Sequence, residues 1–253
     1  MLNRNRSQST RAAIRIEYMD LRVDDLERRR MLAGNVDVTF TGGNDLILRG
    51  DNADNQVQVS TNTFGDLVIQ GLDGTTIELG GETAGSHTIF LGESSVDDMQ
   101  ILLRGGNDEV TVSNSNISGN LIVVGAAGDD DVTLLDLQIG GQVRAILSAG
   151  DDTASFTGLD VTERLTIVGG SGDENVTILD STIGENASIV LSAGDDVARF
   201  VLVLLGGHAS DGGDVAAADS GHVHGATSNS STCLVTSLSV SAPNMSKRST
   251  RKN

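Results

Sequence analysis

A 22-residue period runs through the middle of this sequence and constrains its fold more than any other feature. Between residues 105 and 198 the sequence divides into lines that begin at Gly105, Ala127, Ala149, Ser171 and Ala193. A glycine stands second in every line, at Gly106, Gly128, Gly150, Gly172 and Gly194. A fixed period in this range is typical of solenoids, in which each repeat buries its apolar face on its neighbours.

Residues within each line alternate between apolar and polar, which indicates β-strand. Two apolar columns are Val110, Val132, Ala154, Val176, Ala198 and Val112, Leu134, Phe156, Ile178, Phe200. The column between them is Thr111, Thr133, Ser155, Thr177, Arg199. Three more apolar columns are Leu121, Val143, Leu165, Ala187; Val123, Ala145, Ile167, Ile189; and Ile117, Ile139, Val161, Ile183. Each line therefore predicts two firm strands and one short strand, with the alternating side chains turned inward and outward.

The pattern predicts an all-β protein whose body is a right-handed parallel β-helix, with 22-residue coils stacked about 4.8 Å apart. A flatter, two-sided β-roll is the alternative. Composition agrees, because the chain has 31 glycines and a single proline, and glycine supplies the positive-φ corners of a solenoid. Aromatic residues are few, and a thin core of stacked Val, Ile and Leu does not need them. The single cysteine, Cys233, cannot form an intramolecular disulfide.

Charge is distributed unevenly along the chain. Residues 1–30 carry eight arginines and five acidic residues, and four more basic residues lie between 247 and 252. Residues 31–246 contain five arginines and 30 acidic residues, a net charge of −25. Such a body repels nucleic acid and anionic lipid and attracts divalent cations. We therefore expect no nucleic-acid partner.

Acidic residues recur in two adjacent columns at the Gly-Asp-Asp corner of the lines. The columns are Asn107, Asp129, Asp151, Asp173, Asp195 and Asp108, Asp130, Asp152, Glu174, Asp196. Stacking places like charges about 5 Å apart, where the repulsion is about 1 kcal/mol in water and about 3–4 kcal/mol at an effective dielectric constant of about 20. Calcium, which takes roughly six to eight oxygen ligands, would compensate for this repulsion. The expected ligands are Asp108, Asp129, Asp130, Asp151, Asp152, Asp173, Glu174, Asp195 and Asp196.

This corner resembles half of the Gly-Gly-x-Gly-x-Asp nonapeptide of calcium-binding, toxin-type β-rolls. Here the corner occurs once in 22 residues, so the paired-turn cage of that family is not reproduced. Turn chemistry alone is the alternative interpretation, because glycine forms the corner and Asp accepts a hydrogen bond from a nearby backbone N–H. Under that interpretation the charges are simply solvated.

The N-terminal segment carries a second resemblance. Apolar residues at helical spacing, including Ile14, Tyr18 and Leu21, predict a short amphipathic helix within residues 11–34. The stretch LRVDDLERRRMLAGNVDV resembles the Leu-Glu-x-Arg-x-Leu-Leu-Ala element that precedes β-rich repeats in planctomycete secreted and surface proteins. The matching residues are Leu26, Glu27, Arg29, Met31, Leu32, Ala33 and Gly34, with Met31 where the motif usually has leucine. The resemblance implies export to the cell surface or beyond, among cell-surface or matrix components. No apolar stretch is long enough for a membrane span.

Four regions follow from these patterns. Residues 1–34 form a leader or targeting segment, 35–104 form degenerate coils, 105–204 form the regular coils, and 205–253 form a disordered or aberrant tail. Within 35–104, Leu46/Leu48, Val57/Val59 and Leu67/Ile69 are candidate inward pairs, and the GGND of 42–45 repeats the GGND of 105–108.

The register of the columns fails after Phe200. Asp211 falls in an apolar column, where an unpaired carboxylate would be costly. A linker or the product of a shifted reading frame are alternatives to a disordered tail. His222 and His224 have metal-ligand spacing in this tail, but no third ligand is evident.

Two functional hypotheses belong to different classes. The first is a non-catalytic extracellular or cell-surface repeat protein with a structural, matrix or adhesion role, stabilised by divalent cations. The second is a carbohydrate-active β-helix enzyme, a polysaccharide lyase or hydrolase, or a fragment of one. An acid pair such as Asp130 and Asp152 could suit retaining glycoside chemistry. The same pair repeats at every coil, however, and this uniformity favours the first hypothesis.

Overall fold

The computed structural model describes residues 34–80, 82–86, 88–91, 96–201, 203–206, 215–218, 232–235 and 238–241, all within the unit Leu32–Asn253. These residues form strands and turns, with no helix among them. A helix that could span a membrane is likewise not found in the described part of the chain. The predicted amphipathic helix and most of the Leu-Glu-x-Arg motif fall in residues 1–33, outside the described residues.

The strands of the first half are β1 Asn35–Phe40, β2 Leu46–Arg49, β3 Gln56–Thr61, β4 Leu67–Gly71, β5 Thr76–Leu79, β6 Glu82–Ser86, β7 Thr88–Phe90, β8 Met99–Gly105, β9 Glu109–Ser113, β10 Asn116–Ile117, β11 Leu121–Ala127 and β12 Asp131–Leu135. Those of the second half are β13 Gln138–Ile139, β14 Val143–Ala149, β15 Thr153–Thr157, β16 Asp160–Val161, β17 Leu165–Val168, β18 Asn175–Leu179, β19 Thr182–Ile183, β20 Ala187–Val190, β21 Val197–Val201, β22 Val203–Gly206, β23 Val215–Ala218, β24 Thr232–Val235 and β25 Leu238–Ser241.

These strands build three sheets that run along a solenoid. The first has the order β23-β20-β17-β14-β11-β8-β2-β1-β5-β6. The second has the order β10-β13-β16-β19-β22-β24, and the third has the order β25-β21-β18-β15-β12-β9-β3-β4-β7. Each regular coil contributes one strand to each sheet, as β12, β13 and β14 do. The three faces identify a β-helix and distinguish it from the two-sided β-roll.

The parallel register confirms the 22-residue period. Val132 pairs with Ala154 in the third sheet, Ile139 with Val161 in the second, and Val143 with Leu165 in the first. The predicted apolar columns are buried throughout the regular coils, and Val112, Leu134, Phe156 and Ile178 form one fully buried file. Apolar stacking between coils is therefore the main source of cohesion, as it is in repeat proteins generally.

The segment before the regular coils combines parallel stacking with antiparallel hairpins. Strands β2 and β3 stack in parallel on β8 and β9, whereas β1 pairs with β2, and β3 with β4, in antiparallel fashion. The six residues predicted to point inward, Leu46, Leu48, Val57, Val59, Leu67 and Ile69, are all buried. Because Gln56 pairs with Glu109, the structural equivalent of Asp108 is Asn55. The GGND of 42–45, which lies in the β1–β2 turn, is therefore not equivalent to that of 105–108.

Beyond Phe200 the stacking continues with a longer connection. Strand β23 pairs in parallel with β20, and Ile189 is matched by Ala217, 28 residues later. The column that the constant period assigned to Asp211 is thus continued by Ala217, and Asp211 itself lies outside the described residues. Strands β24 and β25 pair antiparallel with β22 and β21.

Candidate functional site

The two acidic columns lie on opposite sides of the coil wall. We call Asn107, Asp129, Asp151, Asp173 and Asp195 the outer file, and Asp108, Asp130, Asp152, Glu174 and Asp196 the inner file. Every member of the outer file is exposed. Every member of the inner file is buried, with only 1–2% of its surface accessible. Adjacent acidic residues in the sequence therefore occupy entirely different electrostatic environments.

The inward and outward alternation of β12, the strand that follows the corner, explains why the two files face opposite sides of the wall. In β12, Val132 points into the core and Asp131 points out. Continuing that alternation backwards through the corner turns Asp130 inward and Asp129 outward. The nine predicted calcium ligands are accordingly split into four on the outside and five on the inside. Among the described residues, no group of three or more His, Cys, Asp or Glu side chains converges as it would around a metal ion.

The outer file is a ladder of hydrogen bonds that runs forward along the chain. Oδ1 of Asp129 accepts a hydrogen bond from the backbone N–H of Asp151 at 2.9 Å. The N–H groups of Asp173 and Asp195 donate in the same way to Asp151 and Asp173, at 2.9 and 2.7 Å. Each carboxylate thus caps the corner of the next coil, which is the turn chemistry that the sequence suggested as the alternative to metal binding.

The inner file is a ladder that runs in the opposite direction. Oδ1 of Asp130 accepts from the N–H of Asp108 at 3.0 Å, and Oδ1 of Asp152 accepts from the N–H of Asp130 at 2.8 Å. Asp196 accepts from the N–H of Glu174 at 3.0 Å. At the start of the file, Asp108 accepts from both the backbone N–H and the side-chain Nδ2 of Asn55.

The second oxygen of every inner carboxyl is buried and has no hydrogen-bond partner. These atoms are Oδ2 of Asp108, Asp130, Asp152 and Asp196, and Oε2 of Glu174. Burial without a partner strongly disfavours the charged form. Desolvation accordingly raises the pKa of Asp108 to about 6 and that of Asp130 to about 7. Desolvation also raises the pKa of Asp152, and it raises that of Glu174 to about 8.

Alternate glycines make room for the inner carboxyl groups. One column of stacked residues just before the corner alternates between glycine and leucine from coil to coil. It consists of Gly50, Leu103, Gly125, Leu147, Gly169 and Leu191. A Cβ on Gly125 would collide with Oδ2 of Asp130, and one on Gly169 would lie 2.9 Å from Cδ of Glu174. The larger acid, Glu174, therefore lies where glycine leaves space, and its Oε1 accepts from the N–H of Gly170 at 2.9 Å.

A polar groove is a separate feature of the first regular coil. Its volume is about 460 Å³, and amide and hydroxyl side chains including Asn114, Asn116 and Gln138 line it, with Asp136 as a carboxylate. Gly65 of the β3–β4 turn borders the groove, and the neighbouring Phe64 is 80% exposed. Hydroxyl-rich ligands suit such a lining, because amides supply both donors and acceptors.

The sequence identified both acidic columns but did not assign their directions. A signal for the direction was present, because the period-two alternation of β12, continued backwards through the corner, turns Asp130 inward. Arg144 and Arg164 occupy different columns, since Arg144 pairs with Thr166. His222 and His224 lie outside the described residues.

Comparison with protein-family models, with curated proteins and with solved structures finds no match to this chain.

Proposed function

We propose that this chain is a non-catalytic repeat protein of the cell surface or extracellular space, serving as a spacer, matrix or adhesion element. The observation that carries the proposal is the uniformity of the coils. Carboxyl groups recur at the same two corner positions at 22-residue steps from Asp129 to Asp196. Asp130, Asp152 and Asp196 each accept a hydrogen bond from the N–H of the inner residue one coil earlier, whereas Glu174 accepts from the N–H of Gly170. An active site would require one coil to differ chemically from its neighbours, whereas a spacer requires only that identical units stack.

We further propose that the outer file binds calcium and stiffens the solenoid. Each outer carboxylate uses one oxygen to accept a backbone N–H, and the exposed side chain leaves the second oxygen available. Carbonyl oxygens of the pivot glycines lie beside this file, because Gly106 O faces Gly128 and Gly128 O faces Gly150. A row of carboxylate and carbonyl oxygens provides the ligand type that calcium prefers.

The N-terminal resemblance supports the location. The Leu-Glu-x-Arg element at Leu26–Ala33 implies export in planctomycete surface proteins, and the acidic body suits an environment rich in divalent cations. Antibodies against the full chain should label intact cells as strongly as permeabilised cells. Labelling that appears only after permeabilisation would contradict the surface location.

A carbohydrate-active enzyme is the second candidate, and the polar groove favours it. Among the described residues that line this groove, Asp136 is the single carboxylate, so these residues do not provide the acid pair of common glycosidase chemistry. The pair Asp130 and Asp152 lies beneath the wall and is 1–2% exposed, out of reach of a polymer. Incubation with neutral and acidic polysaccharides should therefore release no reducing ends or unsaturated products. Release that is abolished in Asp136→Asn would establish the enzyme instead.

A further inference from the structure

The β3–β4 hairpin interrupts the regular stack beside the first regular coil. In a regular coil, a strand of the third sheet is followed after a short turn by a strand of the second sheet, as β12 is followed by β13. After β3 the chain instead turns back into β4, and both strands extend the third sheet beyond β9. Among the described residues, only Val96 stacks on Ile117 of β10 from that side. The polar groove of about 460 Å³ lies in the space that this step leaves between the hairpin and β10.

The hairpin wall of the groove is fastened to the coil below it. Oγ1 of Thr61, at the end of β3, lies 3.2 Å from Oγ of Ser115, in the turn before β10. Oγ of Ser115 donates its single hydrogen to the carbonyl oxygen of Ser113 at 2.9 Å, so Thr61 is the donor between the two hydroxyl groups. The lone pairs of the Thr61 hydroxyl therefore remain available in the groove, on a wall whose position is already fixed.

Three amide side chains converge on the floor of the groove without partners of their own. Asn114, Asn116 and Gln138 are exposed, and the described part of the chain supplies no hydrogen-bond partner to their side-chain amides. The amide of Asn120, by contrast, donates to Oδ1 of Asp98 at 3.0 Å. Each free amide offers two donor hydrogens and an acceptor oxygen. The floor therefore suits a ligand with several neighbouring groups that both donate and accept hydrogen bonds.

An exposed aromatic ring lies next to the groove. Phe64 is 80% exposed, whereas the other exposed large hydrophobic side chains of the described residues are 36–39% exposed. It directly precedes Gly65, which borders the groove. Oδ1 of Asn62 accepts from the backbone N–H groups of Phe64 and Asp66, at 2.8 and 2.9 Å, so the turn that carries the ring is held in shape. The electron-rich face of such a ring attracts weakly positive C–H groups.

Charge and lining together narrow the class of ligand. The body of residues 31–246 has a net charge of −25, and Asp136 adds a carboxylate to the groove, so phosphate, sulfate and uronic acid groups are repelled. A purely apolar ligand would leave the amides of the floor without partners. A neutral sugar ring meets both requirements, because its hydroxyl groups donate and accept while one of its faces consists of C–H groups. The volume is also within the range of roughly 300–1,000 Å³ for small-molecule sites.

We propose that the groove between the β3–β4 hairpin and β10 binds a neutral saccharide. One sugar ring stacks on Phe64, its hydroxyl groups exchange hydrogen bonds with Asn116 and Gln138, and the carboxylate of Asp136 accepts a further hydroxyl hydrogen. The inference gives the proposed adhesion role a ligand class and rests on that role for its biological setting. Binding by the purified chain is measured independently of cell location, so failure of the saccharide site and failure of the surface location are distinguishable.

The test titrates the full chain, in chelator, with neutral hexasaccharides of β-linked glucose, xylose and mannose, and follows the side-chain amide signals by nitrogen-15 NMR. At least one hexasaccharide should shift the signals of Asn116 and Gln138 and leave that of Asn186 unchanged. Phe64→Ala and Gln138→Ala should each weaken binding about two- to tenfold, since each removes one stacking or hydrogen-bonding contact. Thr182→Ala is the matched control, because Thr182 is an exposed residue in the column of Gln138, two coils further along, and it does not line the groove. It should bind as the wild type does.

The wild-type titration decides the location of the site by itself if a variant fails to fold. Groove amides that do not shift with any of the neutral hexasaccharides at tens of millimolar would overturn the proposal. So would an oligogalacturonate that binds as tightly as the neutral hexasaccharides, because the charge argument would then be wrong. Equal weakening in Thr182→Ala and Gln138→Ala would place the binding elsewhere on the solenoid and would likewise overturn it.

Discussion

The backbone N–H of Asp130 donates to Oδ1 of Asp152, one coil further along, at 2.8 Å. In the outer file the direction is reversed, because the N–H of Asp151 donates back to Oδ1 of Asp129. The two ladders fasten each corner to both of its neighbours. Both ladders use a carboxyl oxygen that accepts from a backbone N–H, but their environments differ. In each adjacent pair the outer carboxyl is exposed to solvent and the inner one is buried.

The effect of Asp151→Asn should change sign with calcium. Asparagine keeps the Oδ1 atom that accepts from the N–H of Asp173, so the substitution removes charge and preserves the ladder. Without metal the loss of repulsion should leave the Tm unchanged or raise it slightly. With calcium the lost ligand should lower both the affinity and the Tm, because a ligand that binds only the native state stabilises it by mass action.

Calorimetry in millimolar calcium and in chelator measures this effect. Asp160→Asn is the matched control, since Asp160 is an exposed acid whose stacked neighbours, Gln138 and Thr182, are uncharged. Its Tm should respond to calcium as the wild type does. If calcium moves the wild-type Tm no further than sodium chloride of equal ionic strength, the outer file is a row of solvated turns.

Phe156→Ala should be among the most destabilising substitutions in the core. Phe156 is fully buried in the file between Leu134 and Ile178, so removal of its ring leaves a cavity that two neighbouring coils must share. The expected loss in the free energy of unfolding is about 3–5 kcal/mol. Phe64→Ala removes the same ring from a site that is 80% exposed and should cost less than about 0.5 kcal/mol. Equal losses in urea unfolding would show that the apolar files do not carry the stability.

Gly150→Ala should destabilise the corner between two coils. Gly150 has φ of +140°, which side chains disfavour, and a Cβ there would collide with the carbonyl oxygen of Gly128. We expect a loss of about 1–3 kcal/mol from backbone strain. Gly42→Ala is the control, because nothing lies within 4 Å of its Cβ position. A thermal shift for Gly150→Ala no larger than that of the control would contradict the close approach of stacked corners.

Gly125 and Asp130 should be energetically coupled. A Cβ at Gly125 collides with Oδ2 of Asp130, so Gly125→Ala should be destabilising while the aspartate is present. The shorter side chain of Asp130→Ser should leave room for that methyl group. A double-mutant cycle should therefore give a favourable interaction energy of about 0.5–3 kcal/mol for the paired substitutions. If the effects of the two substitutions on the free energy of unfolding are strictly additive, the absence of a side chain at Gly125 is not required to accommodate the Asp130 carboxyl.

The sequence predicted the regular coils well because the pattern of apolar and polar residues that specifies them is local and recurs in every coil. Period-two alternation assigns each strand residue to a face, and the constant period of 22 residues aligns those faces from coil to coil. The sequence alone therefore identifies one buried file, which consists of Val112, Leu134, Phe156 and Ile178. The same alternation also implied an inward Asp130, but an unpaired buried acid contradicts the usual preference of carboxylates for water.

Tertiary structure decided the features that depend on partners far along the chain. The burial of Asp130 is tolerated because the N–H of Asp108 and the space at Gly125 are both present, and one of these lies 22 residues away. The equivalence of Asn55 with Asp108 spans 53 residues. It differs from the alignment that the matching GGND tetrapeptides suggested. Likewise, the pairing of Ile189 with Ala217 depends on a connection longer than the repeat. A periodic sequence determines the strands and the buried columns of each regular coil. Hydrogen bonds and packing between coils determine where the period is broken and which acidic side chains can be buried in the core.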